Sequence, residues 1–167
     1  IADIDNDGSD ELIFHRQGGS SSNYLTVYNT ASGVPVLDGT IFSWNEWSVD
    51  DVVLKLVDYD LDGLNDFVIQ CEDAGSYNSI FIVHNDGGTF SEAQKLSLPC
   101  EKLLGVFDSD GDAYPDLHWH GGSEYLYRNL NDGNGTFAGN VKVFTLPSGN
   151  FSSNAQGAEI DVNNDHI

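Results

Sequence analysis

The chain has 167 residues and a hydrophobic content of 40%, enough to form a core in one domain or part of one. Its 27 acidic residues against 6 basic ones give a formal charge of −21, which argues against nucleic acid or anionic membrane surfaces as electrostatic partners. No apolar run reaches the roughly 18 residues of a membrane span, so no membrane insertion is expected.

In chain order, the first feature is an acidic stretch, DIDNDGSDELIFH at 3–15. Its apolar Leu12 and Phe14 alternate with other residues, as on a strand with one buried face. A looser strand, turn and strand follow in NYLTVYNTASGVPV (23–36), and then FSWNEWSVDD (42–51) reads as a longer link with two tryptophans. The pattern then returns. A second acidic stretch, DYDLDGLNDFVIQ at 58–70, leads into a strand carrying Phe67 and Ile69, and SIFIVHNDGGTF (79–90) supplies a strand, an Asn-Asp-Gly turn and the start of another strand at 93–98. Asn-Asp-Gly tolerates the positive φ angles that a tight hairpin needs. The third copy, DSDGDAYPDLHWH at 108–120, carries Leu117 and Trp119, followed by YLYRNLNDGNGTF (125–137) and a strand at 141–146. A last cluster, Asp161, Asn163 and Asp165, lies in the final seven residues DVNNDHI.

The clusters start at Asp3, Asp58, Asp108 and Asp161, at intervals of 55, 50 and 53 residues. Each is preceded by an apolar residue (Ala2, Val57, Phe107, Ile160). Each unit therefore reads as strand, acidic loop, strand, loop, strand, turn, strand, with no helical spacing. Four short antiparallel strands recurring at about this period predict an all-β architecture of β-propeller blades. The units divide as 1–55, 56–105, 106–158 and the start of a further one at 159–167. Both ends of the sequence fall inside a unit, as in a segment of a longer protein. Three units and a fragment are too few to close a propeller, so further blades are expected from the same parent chain or from neighbouring copies.

Numbered from its first aspartate, each loop places oxygen donors at positions 1, 3, 5 and 9. These are Asp3, Asp5, Asp7 and Glu11, then Asp58, Asp60, Asp62 and Asp66, then Asp108, Asp110, Asp112 and Asp116. The backbone carbonyl of position 7 (Ser9, Leu64, Tyr114) is expected to complete the shell. Hard oxygen ligands in that number suit Ca²⁺ better than Mg²⁺, which wants a strict octahedron, or Zn²⁺, which wants His or Cys. Gly8 and Gly63 at position 6 permit a sharp turn; the third loop has Ala113 there and Gly111 nearby, so its turn is expected to differ slightly. Glu11 departs from the aspartate of the other loops, and a different binding mode or a weaker site follows. An EF-hand is excluded because its twelfth position must be a bidentate glutamate, whereas position 12 here is Phe14, Ile69 or Trp119, each expected to be buried on the following strand.

The pattern D-x-D-x-D-G-x-x-D-[LF] between two strands, with a downstream N-D-G-x-G-T-F, resembles the FG-GAP/VCBS repeat family of calcium-binding propellers, whose blades are similar to those of integrin α-subunits. The resemblance covers the whole chain. It implies a Ca²⁺ held in the first hairpin loop of each blade and leaves function open among adhesion, sugar binding and lyase chemistry.

Other residues carry weaker expectations. His118 and His120 share a strand face, and His15 sits at the repeat position of His120, where an inter-blade polar contact is favoured over a metal site. Cys71 and Cys100 should lie at the end of the blades opposite the acidic loops, and a disulfide between them suits an oxidising compartment. Asn134 and Asn150 begin N-glycosylation acceptor patterns. Trp44, Trp47, Tyr24, Tyr77 and Tyr125 are read as blade packing before sugar platforms. With the acids committed to metal and no nucleophile and base standing out, the expectation is a non-enzymatic, extracellular or cell-surface module for adhesion or filament assembly, with an unknown protein or glycan ligand. A carbohydrate-binding propeller, or an accessory module of a polysaccharide-degrading enzyme, is the alternative.

Overall fold

A computed structural model describes residues 1–18, 22–45, 52–72, 78–121, 125–133 and 135–145. Among them there are eleven strands and no helix, arranged in three antiparallel sheets. The first sheet runs in the order β1 (Leu12–Gln17), β2 (Ser22–Asn29), β3 (Val36–Asn45). The second holds β4 (Val53–Val57), β5 (Asp66–Glu72), β6 (Asn78–Asn85) and β7 (Phe90–Leu98), and the third β8 (Lys102–Phe107), β9 (Asp116–Gly121), β10 (Tyr125–Asn131) and β11 (Phe137–Thr145). In both four-stranded sheets, sequence neighbours are also spatial neighbours. In the first sheet the place of an entering strand is marked by a single bridge, in which Ala2 and Glu11 exchange both backbone hydrogen bonds.

The sheets stack in sequence through two apolar layers. Leu25, Val27 and Trp44 of the first sheet pack on Phe67, Ile69 and Val83 of the second. Val68, Ile80 and Ile82 on the opposite face of the second sheet pack on Leu103, Leu117 and Trp119 of the third. A sheet covered on both faces needs continuous apolar runs rather than alternation, which is why β5 reads Phe67-Val68-Ile69 and β6 reads Ile80-Phe81-Ile82-Val83. Each fully buried side chain of this size contributes about 1.5–3 kcal/mol. Among the described residues the three sheets form an open stack and do not close on themselves.

Polar side chains join the layers as well. The Asn85 side-chain amide donates to the Ile4 carbonyl at 2.7 Å, and that of Asn131 donates to the Tyr59 carbonyl at 2.6 Å. In each case an asparagine at the hairpin turn of one sheet reaches position 2 of the acidic loop in the preceding sheet. The Gln70 amide donates to the Glu101 carbonyl at 3.1 Å and accepts from the Leu103 N–H, linking β5 to the start of the third sheet.

Several expectations are corrected. Phe14 is 51% exposed, because it faces outward from the first sheet, where none of the described sheets lies on it. Phe42 to Asn45 belong to β3 and are not a link; 46–51 lie outside the described residues. Counted by sheets, the second unit starts with β4 and the third with β8, a few residues before the divisions drawn from the aspartates. The Cys71–Cys100 disulfide is not formed. Both are buried free thiols, Cys71 in the layer between the first two sheets and Cys100 in the layer between the second and third, so the second sheet separates them. The Cys71 thiol donates to the Ser79 carbonyl at 3.7 Å, and burial, aided by the Glu101 charge, pushes the Cys100 thiol up to about 12.

Candidate metal-binding loops

Each acidic loop links the entering strand, or its Ala2 remnant, to the second strand of its sheet, and three of its carboxylates converge. Asp3, Asp5 and Glu11 bring one oxygen each within 4.8 Å of the others, as do Asp58, Asp60 and Asp66, and Asp108, Asp110 and Asp116. These are positions 1, 3 and 9 of every loop. Carboxylates this close repel one another. Backbone N–H groups hold the carboxylates in place. Position 1 accepts from positions 5 and 6 in the first two loops (Asp7 and Gly8 to Asp3; Asp62 and Gly63 to Asp58) and from Gly111 and Ala113 in the third.

Position 9 is the anchor. Asp66 and Asp116 are fully buried and Glu11 is 1% exposed. Each accepts the N–H of position 2 in its own loop: Tyr59 to Asp66 at 3.1 Å, Ser109 to Asp116 at 3.3 Å and Ile4 to Glu11 at 3.1 Å. The two aspartates also accept the N–H of the hairpin asparagine, Asn85 at 2.8 Å and Asn131 at 3.0 Å, which ties the loop to the third strand of the sheet. The longer Glu11 lacks that second bond, and its Oε1 is buried without a hydrogen-bond partner. A buried carboxylate oxygen left unpaired beside two further carboxylates fits a cation.

The electrostatics agree with that donor set. Burial pushes the Asp66 carboxyl up to about 6, against the pull of the Asn85 and Tyr59 N–H groups; the Asp60 charge raises it further and His84 lowers it. Burial likewise raises Glu11, with the Ile4 N–H opposing and Asp5, Asp7 and Asp3 adding to the rise. Asp110 is raised by desolvation and by Asp116 and Asp112. At Asp108 desolvation acts upward, and the N–H groups of Gly111, Ala113, Asp110 and Asp112 together outweigh it and lower the carboxyl. A cation held by these groups would compete with a proton for the buried member of the set.

Position 5 does not join the convergent trio in any loop. Its carboxylate accepts the N–H of position 7: Ser9 to Asp7 at 2.8 Å, Leu64 to Asp62 at 2.8 Å and Tyr114 to Asp112 at 2.9 Å. In the second loop Asp62 forms a further group with Asp60 and His84. His84, which the loop spacing does not reveal, sits on β6 with Nδ1 3.2 Å from Asp60 Oδ2 and 3.4 Å from Asp66 Oδ1. Leu130 precedes the hairpin asparagine in the third sheet where His84 does in the second, so this histidine is not part of the repeat.

The third loop keeps the left-handed backbone of the others at position 6 and differs in its hydrogen bonds, with Gly111 in place of position 5 donating to position 1. Ala113 holds φ at 81°, next to 90° at Gly8 and 93° at Gly63, so an alanine is strained where the other loops have glycine. Position 4 is also left-handed, with φ of 59° at Asn6, 60° at Leu61 and 85° at Gly111. Gly111 thus relieves strain at position 4, which the glycine pattern of the other two loops does not mark.

The histidine pairs form no metal group among the described residues. His118 stacks on Phe107 at 4.0 Å between ring centres, His120 Nδ1 lies 3.4 Å from Glu101 Oε2, and His15 Nε2 lies 3.0 Å from Asn23 Oδ1. These contacts stay within one sheet; Gln70 makes the inter-sheet contact at that repeat position. Trp44 is 5% exposed and packed, while Tyr125 carries Lys142 Nζ over its ring at 3.6 Å. Trp47, Tyr77, Asn134, Asn150, Asp161, Asn163 and Asp165 lie outside the described residues.

Comparison with protein-family models, with curated proteins and with solved structures finds no match.

Proposed function

We propose that the chain is a calcium-stabilised, non-enzymatic β-propeller module of an extracellular or cell-surface protein, serving adhesion or assembly. The observation that carries this reading is the threefold recurrence of one constellation, in which positions 1, 3 and 9 converge and position 9 is buried. Three oxygens of hard character suit Ca²⁺, which accepts six to eight oxygen donors in flexible geometry, the remainder to come from carbonyls and water. Positions 1, 3 and 9 would hold the ion, and its charge would offset the repulsion that the folded loop imposes. Because position 9 also grips the hairpin asparagine in the second and third sheets, an ion there fixes two strand connections at once. The role is structural: these acids are engaged by backbone N–H groups and the ion.

The propeller reading rests on the sheet order, each sheet a four-stranded meander or three strands of one, and on sheets stacked face to face in sequence. An ion that binds only the folded state adds about 2.7 kcal/mol per site at a hundredfold excess over Kd. Thermal unfolding followed by circular dichroism tests this directly. Calcium should raise Tm, magnesium should raise it less, and chelation should reverse the gain; a Tm indifferent to calcium at millimolar concentration would refute the proposal.

A further inference from the structure

The second loop differs from the other two by a nitrogen. His84 directly precedes the hairpin asparagine Asn85 on β6, where the first sheet has Tyr28 before Asn29 and the third has Leu130 before Asn131. Neither of those side chains offers a nitrogen donor. Asp66 accepts the Asn85 N–H at 2.8 Å, which holds the end of β6 against the loop and brings the preceding side chain to its carboxylates. The imidazole is further fixed by Tyr59, whose ring meets it edge-on at 6.3 Å.

The His84 Nδ1 atom is buried and makes no hydrogen bond. Asp60 Oδ2 lies 3.2 Å from it and Asp66 Oδ1 3.4 Å, so these contacts have the spacing of an ion pair without the direction of a hydrogen bond. A buried polar atom in that state carries its desolvation cost uncompensated. An ion between the nitrogen and the two oxygens would remove that cost. Ligands bonded at about 2.0–2.1 Å to a tetrahedral ion stand about 3.3 Å apart, close to both separations. A further oxygen is at hand, because Asp60, Asp62 and His84 each bring a ligand atom within 4.8 Å of the others. Asp62, at position 5 and outside the convergent trio, thereby gains a part in this loop. The His84 and Asp60 side chains are 30% and 24% exposed, which leaves an ion a path in from solvent.

We infer that the second loop is a transition-metal site, in which His84 Nδ1 and the carboxylates around it hold a divalent ion of the Zn²⁺ class in preference to Ca²⁺. The inference rests on the metal-loop reading above and assigns one of the three loops a different ion. Spacing alone admits several cations, and the nitrogen decides between them. Calcium is a hard ion that takes oxygen ligands, whereas imidazole suits zinc and its first-row neighbours. Without a transition ion, the same carboxylates remain a calcium set. The first and third loops offer oxygens only and keep Ca²⁺.

Zinc calorimetry of the full chain in millimolar Ca²⁺ tests it. The parent should bind one zinc ion over the calcium background. His84→Leu, which installs the side chain found at this position in the third sheet, should weaken that zinc binding by about 100-fold or more and bind as many calcium ions as the parent. In the parent itself, nitrogen NMR should show zinc shifting the His84 Nδ1 resonance more than the ring nitrogens of His15, His118 and His120, a readout that does not depend on the variant folding. Zinc that fails to bind over calcium, equal zinc affinity in parent and variant, or a His84 resonance that zinc leaves in place would each overturn the site. Calcium calorimetry on the same parent sample separates the two readings: a chain that binds calcium but no zinc fails this inference alone, whereas one that binds zinc through His84 but no calcium fails the calcium reading alone.

Discussion

At the residue scale, the acidic loops are a problem of placing charge where water is scarce. Asp66 shows the sign of the effect. Its carboxyl, pushed up to about 6 by burial, takes up a proton in the folded, metal-free protein at a pH where the unfolded chain is already ionised. Its contribution to metal-free stability is therefore lost as pH rises from the ordinary carboxylate value through about 6. Calcium bound as proposed would have to displace that proton, so its effect on Tm should be larger near pH 7 than near pH 5; equal effects would contradict the assignment. Ala113 supplies an independent test. It holds φ at 81° with no backbone compensation beyond its bond to Asp108, and Ala113→Gly should stabilise the protein by about 1 kcal/mol in urea unfolding, whereas the same exchange at an ordinary position would destabilise it. Much of this chemistry is legible in spacing, since alternation at 1, 3 and 5 with a buried acid at 9 marks an oxygen cage. Spacing does not separate position 5 from the others, because the N–H two residues on captures its carboxylate, a choice made by local backbone geometry. It also misses His84, which comes from across the hairpin and has no counterpart in the other sheets.

Strands and turns are readable wherever alternation, Asn-Asp-Gly and the aspartate loops punctuate them, as in the second and third units; the first lacks the hairpin Asn-Asp-Gly, and the end of its β3 reads as a link. What alternation cannot say is which face is covered. Phe14, Ile69 and Trp119 share a repeat position, yet only the latter two are buried, since burial depends on the sheet packed in front of them. The same limit applies to Cys71 and Cys100, close to the same end of their sheets but on opposite faces of β5 and its neighbours. Both thiols should resist alkylation in the native protein and react on unfolding, with mass spectrometry giving two free thiols; a linked peptide pair would contradict the structure. The hairpin asparagines are the polar pins of the stack. Asn131→Ala would leave the Tyr59 and Pro115 carbonyls unpaired in a buried joint and should cost about 1–3 kcal/mol in denaturant unfolding, with unchanged stability the contrary result.

For the whole molecule, the loops lie where one sheet meets the next, so binding in a loop and packing between sheets are coupled. Asp66 holds the Asn85 N–H, and the Asn85 amide in turn holds the Ile4 carbonyl of the preceding loop. If the proposed ion is bound, its removal should therefore loosen the stack and not merely a turn. Isothermal calorimetry of Ca²⁺ binding to the chelator-treated chain, compared with an Asp58→Asn, Asp60→Asn double variant, addresses the calcium cage itself. The account predicts saturable heats for the parent and one fewer ion bound by the variant. An absence of binding heat at millimolar Ca²⁺, or equal stoichiometry in parent and variant, would contradict it.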